Sequence, residues 1–177
     1  MESCLKERVP LIVHFHGFDA HSDRVVEPYA SAYQRMFASA HALVVVSHSM
    51  EKKLLQMGAP PQKVYRNVYG VDCTQFKETH PDKNEPLFIS VGRFVDKKAP
   101  QLSLLAFRQV LTKCPSARLA MVADGPLLES CKQMVGVLEM EHAVHCTGPV
   151  DHDGVAQVLQ KARAFIQHSV TTSYGDT

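Results

Sequence analysis

The sequence predicts an α/β fold built on parallel β-sheets, and two observations predict it. Seven short segments rich in branched apolar residues recur along the 177-residue chain. Because most of these segments are almost continuously apolar, they are typical of strands that are buried on both faces, as in parallel sheets. Segments with helical periodicity separate them, and alternation of strands and helices favours right-handed crossover connections.

The predicted strands follow one another at intervals that leave room for a helix between most neighbours. The run at 64–68 is the weakest, since Tyr65, Arg66 and Asn67 interrupt its valines. No internal repeat at a solenoid period accompanies the alternation. The predicted strands comprise residues 10–15, 42–46, 64–68, 87–91, 117–122, 143–146 and 164–167.

Four helices are predicted from apolar stripes and from residues that suit helix ends. Ser47 or Ser49 can begin a helix through 51–57, and Gly58 can end it, because glycine tolerates the left-handed cap. Pro100 suits the first turn of a helix over 99–113. Two further stripes have spacings of three and four: Leu128, Cys131, Met134, Val135 and Leu138, then Val155, Val158, Leu159 and Ala162, with Asp151 or Asp153 as the cap of the last helix.

Composition and charge exclude several classes of protein. Hydrophobic residues make up 45% and charged residues 21%, which are ordinary globular values. Nineteen basic against eighteen acidic residues give a net charge of +1, without the basic excess of a general nucleic-acid binder. No apolar run approaches the roughly 20 residues of a membrane-spanning helix. The opening MESCLKERVP lacks the apolar core of a secretory signal.

The five cysteines are odd in number, widely spaced and without a C-x-x-C pair. This pattern indicates neither a disulfide framework nor a zinc knuckle, and it favours reduced, partly buried thiols. We therefore expect a cytoplasmic protein.

One polar segment divides the chain. Residues 77–86 contain two prolines and no aliphatic residue, which is typical of a linker. The sequence therefore predicts two domains, over residues 1–80 and 86–177. Each is small for a complete doubly wound domain, and we expect the chain to be incomplete.

Polar residues and glycines collect where the predicted strands end, which is the edge at which open parallel sheets bind ligands. The segment after the fourth strand carries the most chemistry. Gly92 lets a backbone approach a ligand closely, Arg93 offers a planar fork that matches phosphate oxygens, and Lys98 adds a point charge. The amino end of the helix that follows favours anions. The segment predicts a diphosphate site, with solvated surface as the alternative.

The first strand leads into a histidine-rich stretch, from His14 to His21. His14 and His16 lie two apart on a strand and so face the same side. Phe15 and Phe18 interleave and no second ligand cluster follows, so we predict no metal here. A polar active-site role for His16 and a packed or surface histidine remain the alternatives. The sequence contains no P-loop, no dinucleotide fingerprint and no Gly-x-Ser-x-Gly elbow.

Taken in order, seven stretches resemble one family. They are HFHGFDA at 14–20, VVVSHSMEKKLLQMG at 44–58, YGVDCTQF at 69–76, SVGRFVDKKAP at 90–100, VADGPLLESC at 122–131, TGPVDHDGVAQVL at 147–159 and FIQHSVTTSYGDT at 165–177. Together they resemble the retaining glycosyltransferases of GT-B fold, family 4 or group 1. The opening stretch is most similar to enzymes that build bacterial surface polysaccharides.

The resemblance implies a fold and a set of site residues. It implies two Rossmann-like parallel-sheet domains: an acceptor-side domain in residues 1–80 and a nucleotide-sugar-binding domain in residues 86–177. Gly92, Arg93 and Lys98 would bind the donor diphosphate, and His16 would be the catalytic-site histidine near the transferred sugar. The turn of Thr147, Gly148, Pro149 and Val150 would form the rim of the nucleobase site.

The resemblance also implies a reaction. A hexosyltransferase-type enzyme would transfer a sugar from a nucleotide diphospho-sugar to a hydroxyl of a carbohydrate or lipid-linked acceptor, with retention and without metal or other cofactor. Peripheral membrane contact is expected if the acceptor is a lipid; nucleic acid is not an expected partner. An E-x7-E segment normally follows Ser-Tyr-Gly-Asp-Thr, and several βα units normally come first. The chain thus resembles a glycosyltransferase truncated at both ends.

Three alternatives stay open. A GT-B phosphorylase or a sugar-nucleotide epimerase would share the same anion-binding logic. A degenerate Rossmann-like module that binds or assembles without catalysis would share the fold alone.

Overall fold

In the computed structural model, which describes residues 2–173, the chain forms two compact units. The first comprises the residues up to Gly70 together with 171–173, and the second comprises Val71–Val170. Each unit has its own parallel sheet and its own apolar core. Motif residues 174–177 lie outside the described residues.

The first unit is built on a three-stranded parallel sheet in the order β1-β2-β3. The strands are β1 (Ile12–Phe15), β2 (Ala42–Val45) and β3 (Val64–Arg66). The helices are α1 (Glu2–Lys6), α2 (Phe18–His21), α3 (Asp23–Val26), α4 (Ala30–Ser39) and α5 (His48–Gln56), and a 3-10 turn covers Pro61–Lys63.

The core of this unit lies between the sheet and its helices. Leu43 and Val45 on β2 are fully buried and pack with Phe15, Phe37 and Leu54. Helix α5 begins as predicted, because the hydroxyl of Ser47 accepts the Met50 N–H at 3.2 Å. It ends at Gln56, before Gly58, whose φ of +91° is the left-handed conformation that favours glycine.

The second unit contains a four-stranded parallel sheet in the order β6-β5-β4-β7. The strands are β4 (Leu87–Val91), β5 (Arg118–Val122), β6 (Val144–Gly148) and β7 (Ala164–Phe165). The helices are α6 (Pro100–Lys113), α7 (Leu128–Val137) and α8 (His152–Gln160), and 3-10 turns cover Pro81–Lys83 and Asp96–Lys98.

Buried side chains from the central strands and two helices form the second core. Leu119 on β5 packs with Leu104 and Phe107 of α6 and with Cys131 of α7. Burial, together with the nearby Cys146, raises the pKa of the Cys131 thiol to about 11. The thiol is therefore neutral at ordinary pH and behaves as a small apolar side chain.

The structure confirms the predicted α/β fold with parallel sheets, and a strand overlaps each of the seven predicted runs, with β6 continuing two residues beyond its run to Gly148. The four predicted helices form as well. Helices α1 to α4 were not predicted, since three of them have only four or five residues and α4 buries a single side chain, Phe37.

The two units divide at Gly70–Val71, before the polar segment 77–86. That segment is bound within the second unit. The side-chain amide of Asn84 donates to the carbonyls of Gln160 and Ala162 at 3.0 and 2.9 Å, and the guanidinium of Arg163 donates to the Asn84 carbonyl. These hydrogen bonds hold the segment against the end of α8, so its polarity does not mark the boundary between the units.

Candidate functional site

At the carboxyl edge of the second sheet, the loop after β4 is hydrogen-bonded to the loop after β5. Phe94, 1% exposed, anchors the first loop in the core. Its N–H donates to the carbonyl of Asp124 at 3.0 Å, and its carbonyl accepts the Leu127 N–H at 3.0 Å. The backbone of the predicted diphosphate segment is therefore bonded directly to the neighbouring loop, which fixes its position at the sheet edge.

Gly125 permits this close approach of the two loops. A Cβ atom at this position would lie 2.5 Å from the Phe94 carbonyl oxygen and 2.7 Å from the Phe94 nitrogen, and the φ of Gly125 is +155°. Backbone atoms cannot yield as a flexible side chain can. Glycine is therefore the residue that this contact requires.

An open cleft of about 480 Å³ lies beside these loops. Arg93 lines it together with Asp124 and Gly125 from the β5 loop and with Pro149 and Val150 from the β6 exit. The remaining lining residues are Val91, Val122, Ala123 and Val155. An apolar surface with a few polar groups at its rim is the usual character of a small-molecule site.

The predicted nucleobase rim divides into two parts. Pro149 and Val150 line the cleft. Thr147 and Gly148 end strand β6, where the Thr147 hydroxyl donates to the Gly148 carbonyl at 3.0 Å. Gly148 has φ +74°, which glycine adopts readily, and it turns the chain toward Pro149.

Gly92 and Lys98 line a second, much smaller cavity of about 20 Å³, which shares Val91 with the cleft. The ammonium of Lys98 donates to the hydroxyl of Ser169, beyond β7, at 3.0 Å. Lys98 ends a 3-10 turn just before the 14-residue helix α6, whose amino end favours anions. Arg93 and Lys98 thus both follow β4, with Arg93 lining the cleft beside β5 and β6 and Lys98 bonded toward the exit of β7.

Ser169 and His168 are site residues that the sequence reasoning did not single out. His168 lines the small cavity and its Nδ1 lies 3.4 Å from the Ser103 hydroxyl. Both residues follow β7, so reading the exit of that strand in the same way as the others would have found them.

In the first unit, His16 follows β1 and its backbone is held by a carboxylate. The Asp19 carboxylate accepts the His16 N–H at 3.0 and 3.1 Å and the Gly17 N–H at 2.8 Å. Gly17 has φ +142°. The histidine loop is therefore a compact turn closed by Asp19, three residues further along.

The His16 side chain is exposed and stacks on two other rings. Its centroid lies 6.1 Å from that of His14 and 5.7 Å from that of Tyr69, with 14° between the planes in both pairs. Its Nδ1 is also hydrogen-bonded to the Tyr69 hydroxyl. Tyr69 was missed at the sequence level, although it follows β3 and so belongs to the same sheet edge.

Tyr33 is hydrogen-bonded to the backbone of this histidine loop. Its hydroxyl donates to the Asp19 carbonyl at 2.5 Å. Burial and, to a lesser extent, the Asp19 charge raise the pKa of Tyr33 above its ordinary value. The phenol therefore keeps its proton at neutral pH and remains the donor in this bond.

Within residues 2–173, no group of three His, Cys, Asp or Glu side chains is arranged to hold a metal ion. In the same range, no helix has the length and apolar character needed to cross a bilayer.

Two family models match successive parts of the chain. The model described as glycosyl transferases group 1 matches residues 72–175, and that of the glycosyl transferase 4-like domain matches residues 4–70. The first alone covers more than half of the chain. The chain therefore belongs to the group 1 glycosyltransferase family, as its motifs indicate.

Curated relatives include proteins named for polymer biosynthesis. The chain is 30% identical over 165 residues to WcaL of Escherichia coli, whose name assigns it provisionally as a colanic acid biosynthesis glycosyltransferase. It is 26% identical over 164 residues to the amylovoran biosynthesis glycosyltransferase AmsK of Erwinia amylovora. Both alignments cover 92% of this chain and 40% of the relative. The chain thus spans about two fifths of the length of these relatives.

Solved structures share the fold. HepE of Anabaena in complex with UDP-glucose matches with a TM-score of 0.77 and 18% identity, over 98% of this chain and 50% of that one. The pneumococcal O-GlcNAc transferase GtfA in complex with UDP and GlcNAc matches with a TM-score of 0.72 and 12% identity, over 95% and 35%. At these identities the likeness establishes the fold, and it confirms the expected GT-B type over a part of each longer chain.

Proposed function

We propose that this chain is part of an enzyme that transfers a hexosyl group from a nucleotide diphospho-sugar to a hydroxyl acceptor, with retention of configuration. Family membership supports sugar transfer in general. The cleft at the carboxyl edge of the second sheet supports a nucleotide donor, because open α/β sheets bind nucleotides at that edge. We assign the complete activity to a protein as long as the relatives, 40% of whose length is covered by this chain.

The base of the donor requires apolar contacts and its diphosphate requires positive charge, and the second unit offers groups of both kinds. Pro149 and Val150 offer apolar surface to a flat base in the cleft. Arg93, Lys98, the small Gly92 and the amino end of α6 are the groups we assign to the diphosphate. Complexes of HepE with UDP and with UDP-glucose support a donor of this class.

The chemistry we assign to the cations is stabilisation of the leaving group. When the bond between the sugar and the diphosphate breaks, negative charge develops on the diphosphate oxygens. Fixed positive groups that meet this charge lower the barrier. This is the role that a Lewis-acid metal has in other enzymes, and we assign it to Arg93 and Lys98 without metal or other cofactor.

We assign the acceptor side to the first unit and place His16 near the transferred sugar. The names of WcaL and AmsK support an acceptor in surface polysaccharide assembly, either a carbohydrate or a lipid-linked sugar. We place the reaction in the cytoplasm, where unpaired thiols such as those of the five cysteines persist.

The observation that carries the proposal is that Arg93 lines one cleft with Pro149 and Val150. Calorimetric titration of the 177-residue chain with UDP tests it. A charged hydrogen bond contributes about 1.5–3 kcal/mol, so Arg93→Ala should weaken UDP binding by roughly 10- to 150-fold. Arg108→Ala, which removes an exposed arginine of α6, is the matched control and should bind UDP as the unmodified chain does.

Equal affinity in the Arg93→Ala variant and the unmodified chain would reject the donor site. Binding of inorganic phosphate in preference to UDP would instead favour a phosphorylase. A folded chain that binds neither would favour the non-catalytic module.

A further inference from the structure

We infer that Tyr69 is a positioning residue for His16, which fixes the imidazole in the tautomer that carries its proton on Nε2. Only the role of His16 in sugar transfer rests on the proposed function. The contact between His16 and Tyr69 lies within the first unit and does not depend on that function. The basis of the inference is the hydrogen bond between the Tyr69 hydroxyl and Nδ1, together with the stack of the two rings at 5.7 Å.

The direction of the hydrogen bond follows from the chemistry of the two groups. A neutral imidazole has one N–H donor and one bare nitrogen that accepts. A phenol O–H is a good donor, whereas its oxygen is a poor acceptor because its lone pair is delocalised into the ring. The stronger pairing has Tyr69 donating to Nδ1, which leaves the proton on Nε2.

Two other contacts explain why an exposed histidine has a defined orientation. His14, two residues earlier on β1, stacks on the same ring. Asp19 holds the His16 and Gly17 N–H groups. The strand β1 and its loop therefore fix the backbone and the ring plane of His16. The hydrogen bond from Tyr69 then determines which ring nitrogen of His16 carries the proton.

The consequence for sugar transfer is that the His16 ring offers a single, defined hydrogen-bond donor. With Nδ1 occupied by Tyr69, His16 has only the Nε2–H to offer, and this group can donate to a sugar hydroxyl or ring oxygen. The opposite tautomer would present a bare nitrogen at Nε2, which could only accept.

Nitrogen-15 NMR of the histidine rings tests the inference on the 177-residue chain above pH 8, where an ordinary imidazole is neutral. His16→Gln identifies the His16 signals among the ten histidines. In the unmodified chain we expect the Nε2–H tautomer of His16 to predominate. Tyr69→Phe keeps the stacked ring and removes the hydroxyl, so the ratio of the two tautomers should shift toward Nδ1–H by roughly 2- to 12-fold, the equivalent of one net hydrogen bond.

Tyr65→Phe is the matched control. Tyr65 lies on β3 and is 55% exposed, close to the 64% of Tyr69, so both variants should fold equally well. The control should leave the His16 tautomers unchanged. Predominance of Nδ1–H in the unmodified chain, or the same ratio in the Tyr69→Phe variant, would overturn the inference. The NMR measurement uses no sugar nucleotide. Failure of the chain to bind UDP would therefore reject the proposed function without affecting the inference about Tyr69.

Discussion

Gly125 shows how one residue sets the geometry of the candidate donor edge. We expect Gly125→Ala to destabilise the second unit by about 1–3 kcal/mol, because the added methyl group meets Phe94 backbone at 2.5 Å and the φ of +155° disfavours a side chain. Urea unfolding followed by circular dichroism measures this loss.

Gly136→Ala is the control for that substitution. Gly136 lies within helix α7, and an added Cβ would make an ordinary contact of 3.5 Å with the Glu141 side chain. Alanine has the higher helix propensity, so this variant should gain roughly 0.5–1 kcal/mol. A loss of the same size in both variants would show that the backbone contact at Gly125 is not the cause.

At the residue scale, the sequence singled out candidate site residues but not the side chains that contact them. Arg93, Lys98 and His16 were singled out because each follows a recognisable apolar run. Tyr69 and Ser169 were missed, since each acts through a side chain distant in sequence, His16 in one case and Lys98 in the other. A contact between side chains 53 or 71 residues apart leaves no local pattern.

At the scale of the element, helix α8 depends on the cap at Asp151. Its carboxylate accepts the Gly154 N–H at 2.8 Å, which satisfies one of the free donors of the first turn. Asp151→Ala should cost about 1 kcal/mol of stability, as measured by thermal unfolding. Asp151→Asn keeps an acceptor oxygen and should cost much less; an equal loss in the two variants would contradict the role of the cap.

The strands were predictable and the helices before β2 were not. Most strands lie in short runs of apolar residues that are visible within four or five positions, although β3 and β7 have only three and two residues. Helix α4 buries only Phe37, and α2 and α3 have four residues each, too few to establish an apolar period. Ala20 of α2 and Phe37 of α4 are buried in the core of the first unit, so tertiary packing stabilises these two helices; α3 buries no residue.

At the scale of the whole molecule, the chain has two cores that we expect to respond separately to mutation. Leu54→Ala removes a fully buried side chain from the first core and Leu104→Ala one from the second, at a cost of about 2–5 kcal/mol each. Native-state hydrogen exchange should show lost protection only in the unit that carries the substitution.

The neighbouring leucines supply matched controls. Leu55 and Leu105 follow the target residues in the same helices but are 38% and 43% exposed. Their alanine variants should change protection little. Loss of protection throughout both units after Leu104→Ala would contradict the separation of the two cores.

The sequence by itself determined the class of fold, the strand order along the chain, the edge that carries polar groups and the family. These properties follow from short apolar segments and from motifs that occur in a fixed order along the chain. Only the tertiary structure decided where the two units divide, which residues share the cleft with Arg93 and which ring nitrogen of His16 meets a partner. Those outcomes depend on distances between residues far apart in sequence, and such distances are set by packing of the completed sheets.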